Sequence, residues 1–234
     1  MKNLFKKTVI SIGLPIFALL FNQCAHAEAL GGVSLGATRV IYPINSKQVA
    51  LPIINHSKKD RYLINAWIDD ATEKKTKDFL ITPHIFVAEP DTENTLRIVK
   101  VIDNLPQDKE SIYWINIKSI PSIDKEILET QNTLQLAILS RIKLFIRPNN
   151  LPYNSETALE HISFSKTKSG IEVNNQSPYY ISFVNINIDA KKATNKMAAP
   201  MSKTILSENT GNNITYQTVN DYGALTPKIT IKLD

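Results

Sequence analysis

Cysteine is almost absent from this sequence of 234 residues, in which Cys24 is the single thiol. Cys24 lies in an N-terminal stretch that we expect to be removed on export, so the mature chain is predicted to hold no disulfide and no cysteine-based metal site. An exported chain without disulfides must derive its stability from packed apolar cores. A small fold held together by a disulfide framework is therefore disfavoured.

Motifs for catalysis and cofactor binding are also scarce. Three histidines follow the N-terminal stretch, His56, His84 and His161, and they lie too far apart in sequence to form a His-x-x-x-His metal motif. No serine is predicted to sit on the strand-to-helix turn of a hydrolase nucleophile, and no glycine opens a predicted helix that would cradle a phosphate. We therefore predict no enzymatic activity, no metal, no cofactor and no small-molecule substrate. A secreted hydrolase on a β-sandwich is the weaker alternative.

The charge balance argues against a nucleic-acid partner. The full chain has 27 Lys and Arg residues against 22 Asp and Glu residues, and three of the lysines but none of the acids lie in residues 1–27. Removing that segment leaves 24 basic against 22 acidic residues, a net charge of +2. The basic pI of the full sequence thus gives little support for a nucleic-acid-binding surface, and we predict none.

Residues 1–27 have the composition of a secretory signal peptide. Lysines lead the segment, an apolar run covers residues 9–21, and Ala25 and Ala27 place small residues where a signal peptidase recognises its substrate. The apolar run is too short to span a bilayer comfortably. A lipoprotein anchor at Cys24 is disfavoured because the three residues before it are not small. We predict cleavage of this segment and export of the protein.

From residue 33 onward, short runs rich in β-branched and aromatic residues alternate with polar or proline-bearing turns, and no helical periodicity persists. The predicted strands of the first half are residues 33–42, 48–55, 62–69, 85–88, 95–101, 112–117 and 133–146. Seven short strands with turns between them are typical of an immunoglobulin-like sandwich.

A break between two domains is predicted at residues 147–152, whose sequence RPNNLP contains two prolines and two asparagines. A second series of strands follows, at residues 159–164, 171–174, 179–188, 203–206, 214–219 and 228–233. The sequence therefore predicts an all-β protein with two immunoglobulin-like β-sandwich domains, at residues 28–148 and 149–234.

The longest strand-like run covers residues 132–148. Leu134, Leu136 and Ile138 share one side of its period-two pattern. Two interpretations stay open at this point. The three side chains are buried in their own sandwich, or they form an exposed edge that a partner chain pairs with, because an uncovered apolar edge is a hazard unless a client covers it.

Two cations lie among uncharged neighbours in predicted strands, Arg39 between Thr38 and Val40, and Lys143 between Ile142 and Leu144. Long cationic side chains in such positions can reach solvent past their apolar neighbours. Alternatively, the two form a binding site for a carboxylate, in which the arginine fork and the lysine point charge complement each other. The sequence pattern alone does not bring them together.

Residues 105–122 resemble the signature segment of a known family. Their sequence is LPQDKESIYWINIKSIPS, and the family's other landmarks are present in the expected order as GATRVIY (36–42), AWI (66–68), NTLQLA (132–137), IKLFIRP (142–148) and NDYG (220–223). On these motifs the chain resembles the PapD-like periplasmic chaperones of the chaperone-usher pathway, which escort pilus subunits. The resemblance extends over essentially the whole mature chain.

This resemblance implies two immunoglobulin-like domains arranged as a boomerang with a cleft between them. It implies that Arg39 and Lys143 bind the C-terminal carboxylate of a subunit. The resemblance further implies that three apolar residues form a donor strand that enters the subunit's groove, namely Leu134, Leu136 and Ile138.

A charged triad that fixes the two domains relative to each other is also implied, formed by Glu110, Arg147 and Asp221. The short loop at residues 121–131 implies the short-loop subclass, which typically serves rod-like pili. Where the family often has Thr-Pro-Pro, this chain has Thr-Pro-His at residues 82–84, and whether the Pro83 bond is cis stays open.

The implied partners are pilus or fimbrial subunits in the periplasm and an outer-membrane usher that receives them, with no cofactor. Weak self-association of the free protein is left open. The alternative function is an exported immunoglobulin-like adhesin or pilin. Such a protein should carry an N-terminal donor extension, whereas only residues 28–32 separate the predicted signal from the first predicted strand.

Overall fold

The computed structural model of the protein describes residues 32–123 and 134–233. The predicted signal peptide, residues 124–131 of the predicted short loop, and Asn132 and Thr133 of the predicted donor strand lie outside the described residues. Within the described ranges, no helix has both the length and the apolar character needed to cross a membrane.

The regular secondary structure of the described chain is almost entirely β-strand. The strands of its first half are β1 (Val33–Leu35), β2 (Arg39–Pro43), β3 (Gln48–Asn55), β4 (Tyr62–Asp69), β5 (Phe79–Thr82), β6 (Ile85–Ala88), β7 (Thr92–Lys100), β8 (Ser111–Pro121) and β9 (Ile138–Arg147). A 3-10 helix (Ser155–His161) then precedes β10 (Ile162–Thr167), β11 (Gly170–Asn175), β12 (Ile181–Ile188), β13 (Lys191–Lys192), β14 (Lys196–Ala198), β15 (Ser202–Ser207), β16 (Asn213–Thr218) and β17 (Ile229–Lys232).

Strands β1 to β9 form the N-terminal sandwich. One sheet has the order β1-β3-β7-β5 and the other the order β2-β9-β8-β4-β6. Buried and less buried residues alternate along the strands, as at Ile64, Ala66 and Ile68 of β4, because successive side chains of a strand point to opposite faces. The inward side chains of both sheets, including Leu51 and Leu144, form one hydrophobic cluster.

Strands β10 to β17 form the C-terminal sandwich. Its sheets have the orders β10-β11-β15 and β13-β12-β16-β17, and β14 pairs with β12. Phe183 and Tyr216 lie in a second, separate hydrophobic cluster, where their rings meet at 66° with centroids 5.3 Å apart. The prediction of an all-β fold with two immunoglobulin-like sandwiches is confirmed.

The single strand predicted at residues 33–42 is in fact two strands in different sheets. Strand β1 pairs with β3, whereas β2 pairs with β9. Near the change of sheet lies Gly36, at which a Cβ atom would come within 2.9 Å of the Pro52 Cβ atom. The crossing changes the phase of the alternation, because the side chains that pack on the core fall at odd positions in β1 (Val33 and Leu35) and at even positions in β2 (Val40 and Tyr42). The prediction of one continuous strand overlooked this change of phase.

Other strand boundaries also differ from the prediction. Residues 159–161 belong to the 3-10 helix, so His161 is not in a strand, and its ring stacks on Tyr153 with centroids 4.0 Å apart. Strand β9 begins only at Ile138, and residues 134–137 belong to no strand. Strands β5, β13 and β14 were not predicted. The Thr82–Pro83 peptide bond is cis.

Candidate functional site

Strands β2 and β9 run parallel, and their register sets Arg39 beside Lys143. These two residues are Cα partners, and the pairing continues to Pro43 and Arg147. Side chains at paired positions of neighbouring strands lie on the same face of a sheet. The fold therefore brings together the two cations that the sequence pattern left apart.

Both cations reach the C-terminal sandwich. Arg39 Nη1 donates a hydrogen bond of 3.0 Å to the Val219 carbonyl oxygen, and Lys143 Nζ donates one of 2.9 Å to Ser182 Oγ. Arg39 Nε is buried and has no hydrogen-bond partner among the described residues. Across residues 32–123 and 134–233, neither cation forms a salt bridge. The pair therefore keeps the capacity to bind an anion.

Burial makes the charged form of each cation less favourable than it is in water, and the pKa of each is lowered. Burial, and then the nearby charge of Arg39, lower the pKa of Lys143 to about 8. Burial also lowers the pKa of Arg39, although the carboxylates of Asp221 and Glu110 oppose this shift. An anion bound between the two side chains would offset both effects, because an opposite charge favours the cationic forms. The site is thus electrostatically suited to a carboxylate.

Arg147 links the two sandwiches through two acidic residues. Its Nε atom donates to Glu110 Oε1 at 2.7 Å, and its Nη1 and Nη2 atoms donate to the Asp221 carboxylate at 2.6 and 2.8 Å. Glu110 Oε2 also accepts the Tyr180 N–H at 2.8 Å, and Ser155 Oγ donates to Asp221 at 2.8 Å. The fold therefore brings together all three residues of the predicted triad.

The pKa shifts in the triad follow from burial and pairing. Burial raises the pKa of Glu110, and the charge of Arg147 and the Tyr180 N–H oppose that rise. Burial would also raise the pKa of Asp221, but hydrogen bonds and charge from Arg147 outweigh burial and lower it. The carboxylates in turn raise the pKa of Arg147 against the effect of burial. Each acid therefore depends on Arg147 for its charge balance.

The loop after β16 meets the residue that precedes Arg39. Asn220 Oδ1 accepts the N–H groups of Tyr222 at 3.1 Å and Ala224 at 2.9 Å. Gly223 has a φ of +82°, and a Cβ atom there would lie 2.2 Å from Thr38 Oγ1. Only glycine combines this backbone conformation with so close a contact. The loop is consequently held against the N-terminal sandwich beside the two cations.

The apolar residues before and at the start of β9 are exposed. Leu134, Leu136 and Ile138 are 83%, 67% and 62% exposed. Further along the same side of the strand, Ile142 packs against the N-terminal core and Leu144 is buried in it. Burial of Leu134, Leu136 and Ile138 in their own sandwich is therefore excluded. The apolar side of β9 that the core covers at Ile142 and Leu144 continues toward residue 134 as an exposed apolar stripe.

Several polar partners in this region have no signal in the sequence. Ser155 and Ser182 are ordinary serines in sequence, and the Val219 carbonyl and the Tyr180 N–H are backbone groups. Their roles arise from the way the two sandwiches meet. No periodicity or motif could have identified them.

One sequence feature runs against the expectation of no nucleophilic serine, because residues 32–36 read Gly-Val-Ser-Leu-Gly. Ser34 Oγ lies 2.8 Å from His56 Nε2. Ser34 belongs to a strand at the edge of a sheet, however, whereas the hydrolase nucleophile of this motif sits on a strand-to-helix turn. In the described part of the chain, no group of three or more His, Cys, Asp or Glu side chains is placed to hold a metal ion.

Comparison with known proteins identifies both halves of the chain. Residues 32–152 match the family described as pili and flagellar-assembly chaperone, PapD N-terminal domain, and residues 157–230 match pili assembly chaperone PapD, C-terminal domain. The probable fimbrial chaperone SfmC of Escherichia coli strain K12 is 45% identical over 223 residues, which cover 94% of this chain and 96% of that protein. The chaperone protein FimC of the same strain is 45% identical over 232 residues, covering 97% and 96%.

A solved structure agrees with these matches. The crystal structure of the periplasmic chaperone SfaE has 42% sequence identity and a TM-score of 0.76, and the alignment covers 85% of this chain and 98% of SfaE. The family is one of chaperones rather than enzymes. Both matched domains and the identity along nearly the whole length show that this chain belongs to the PapD-like family of pili assembly chaperones.

Proposed function

We propose that this protein is a periplasmic chaperone that binds pilus or fimbrial subunits, stabilises them by donor-strand complementation and delivers them to an outer-membrane usher. One observation carries the proposal: the exposed run of Leu134, Leu136 and Ile138 leads along β9 to Lys143, beside Arg39. The relatives named as fimbrial chaperones support it. An adhesin or pilin role is not favoured, because the matched family consists of chaperones.

The exposed run would complete a subunit that lacks its last strand. Residues 132–140 would pair with the edges of the subunit's groove through main-chain hydrogen bonds, and alternate side chains would enter the groove. Burying Leu134, Leu136 and Ile138 at about 1.5–3 kcal/mol each would contribute about 5–9 kcal/mol before the ordering costs of association.

The two cations would determine where pairing begins. A subunit carboxylate bound to Arg39 and Lys143 fixes one end of the inserted strand, and a strand fixed at one end has a single register. Ser182 and the Val219 carbonyl support the cations from the C-terminal sandwich. Subunit affinity and pairing register would thus depend on the same site.

We further propose domain boundaries at residues 28–148 and 149–234, with residues 1–27 as a cleaved signal peptide that directs the protein to the periplasm. The two separate hydrophobic clusters support the division. N-terminal sequencing of the protein from a periplasmic extract tests the cleavage. A mature form that still begins at Met1 would exclude it.

Leu136→Ser should weaken subunit binding about tenfold or more, because it removes an apolar group that becomes buried only in the complex. The melting temperature of the free protein should not fall, since Leu136 is 67% exposed. Mixing each variant with a purified pilus subunit and measuring the one-to-one complex on a sizing column checks the binding.

The matched control for this experiment is Leu139→Ser. Leu139 is also exposed, at 53%, but lies on the opposite side of the period-two pattern. We expect this variant to bind subunits nearly as the wild type does. Equal losses in the two variants would contradict the assigned face, and no loss in either would contradict the donor-strand role.

Binding of a peptide with a free carboxylate should weaken as the pH rises above about 8, the pKa of Lys143 in the free protein. Only the protonated amine attracts the carboxylate, and a bound anion raises its pKa. Binding therefore takes up a proton in this range, so affinity falls with rising pH by at most about tenfold per pH unit. Isothermal titration from about pH 7 to about pH 10 measures the slope.

Lys143→Arg provides the control for the pH dependence. A guanidinium remains protonated throughout this range, so the affinity of the variant should be nearly constant. A wild-type affinity that is as flat as that of Lys143→Arg would mean that Lys143 does not contact the carboxylate.

A further inference from the structure

We propose that Tyr222 is a second contact for the bound subunit, and that its ring packs against an apolar side chain among the last three residues before the carboxylate. This inference rests on the proposed function, because it uses the same carboxylate site. It adds a specificity determinant on the C-terminal sandwich to the two cations on the N-terminal one.

The first supporting observation is the exposure of the Tyr222 ring. Tyr222 is 91% exposed, more than any other large hydrophobic residue in the described part of the chain. A tyrosine offers a large apolar ring with a polar tip, and tyrosines are enriched among residues that dominate binding energies. An uncovered ring beside a binding site is therefore a candidate contact.

The second observation is that the loop holding this ring is fixed. Asn220 bonds the backbone at both sides of the turn, through its Oδ1 atom to Tyr222 and through its N–H to the Ala224 carbonyl at 2.9 Å. Asp221 is paired with Arg147, and Gly223 lies against Thr38. Because the backbone is already ordered, binding at Tyr222 requires little further loss of conformational entropy.

The third observation is the position of Tyr222 in the fold. Tyr222 and Arg39 line the same cavity between the two sandwiches, together with Phe145, Leu159 and Tyr180. The cavity thus presents a cation and apolar surface within one space. A ligand with a carboxylate and an apolar side chain close to it matches both features, and the C-terminal residues of a chain whose last carboxylate binds Arg39 and Lys143 have that chemistry.

The test uses short synthetic peptides of alternating apolar and polar residues that end in a free carboxylate. One set carries Phe at the last, second-last or third-last position, and a reference peptide carries Ala at all three. Affinities for the full-length mature protein are measured by fluorescence anisotropy. For at least one Phe peptide, Tyr222→Ala should weaken binding about tenfold, with less than about twofold loss for the Ala peptide.

Two variants separate ring packing from other effects. Tyr222→Phe keeps the ring and should bind every peptide like the wild type. Met201→Ala removes another exposed apolar side chain of the C-terminal sandwich that does not line the cavity, and it should change no affinity. Unchanged melting temperatures show that all variants are folded.

The outcomes distinguish this inference from the function on which it rests. If Tyr222→Ala affects all peptides equally or none, while Arg39→Ala weakens every free-acid peptide, the Tyr222 contact is wrong and the carboxylate site stands. If Tyr222→Ala instead alters only self-association or usher binding, the inference is likewise overturned. If wild-type affinity is the same for free-acid and C-terminally amidated peptides, the carboxylate site itself is wrong.

Discussion

Arg39→Ala and Lys143→Ala should each leave a folded monomer that fails to retain pilus subunits. A charge-assisted hydrogen bond to a carboxylate contributes about 1.5–3 kcal/mol, so losing one cation should weaken binding from about tenfold to more than a hundredfold. The double variant should lose more than either single variant. The loss of binding free energy in the double variant need not equal the sum of the losses in the two single variants, because the two cations share one site and one anion.

Co-purification from the periplasm checks this result. A subunit encoded by a neighbouring gene is produced with each chaperone variant, and the yield of complex is compared with the wild type. Arg61→Ala is the control, since Arg61 is an exposed cation of the same sandwich, paired with Glu89 at 2.7 Å. Wild-type yields for Arg39→Ala or Lys143→Ala would refute the anchor assignment.

Arg147→Ala should produce the largest loss of stability. It leaves Glu110, which is 3% exposed, as a buried carboxylate without its counter-charge, and it also removes the bidentate partner of Asp221. Removing one partner of a buried ion pair typically costs about 3–5 kcal/mol. Urea denaturation should show this decrease in the free energy of unfolding.

Pairing Arg147→Ala with Glu110→Gln tests the cause. The double variant has no uncompensated charge at Glu110, so it should regain part of the lost stability. With the single variant Glu110→Gln measured as well, the loss in the double variant minus the losses in the two single variants gives the coupling energy of the pair. Arg61→Ala should cost no more than about 1 kcal/mol, as expected for an exposed pair. If Arg147→Ala is no more destabilising than Arg61→Ala, the triad does not hold the sandwiches together.

Most of the strands could be predicted because a strand with one buried face has a period-two pattern. Strands β3 and β4 were predicted with their observed bounds. The strand prediction was wrong at several positions, where the period-two pattern as we read it did not match the observed element. Near Gly36 the chain changes sheets, and the core-facing positions change from odd to even numbers, which a single predicted strand does not allow. Residues 159–161 join a 3-10 helix despite a strand-like composition.

The sequence indicated candidate site residues but not how they are arranged in space. Arg39, Lys143 and Arg147 stood out as cations in apolar strands or in a family motif. Their hydrogen-bond partners did not stand out, since Ser182 has no distinctive context and the Val219 carbonyl has no side-chain signature at all. Tyr222 belonged to the NDYG motif, yet nothing in that motif indicates that its ring is exposed.

The sequence by itself determined that the chain is all-β, and that Leu134, Leu136 and Ile138 share one side of a strand pattern. Both follow from local composition and alternation. Only the tertiary structure decided that this side is uncovered and that Arg39 lies beside Lys143. The first depends on where the N-terminal core ends beneath β9, and the second on a parallel pairing between residues 104 positions apart in the chain. Local patterns contain no information on such long-range pairings, because many registers would satisfy the same alternation.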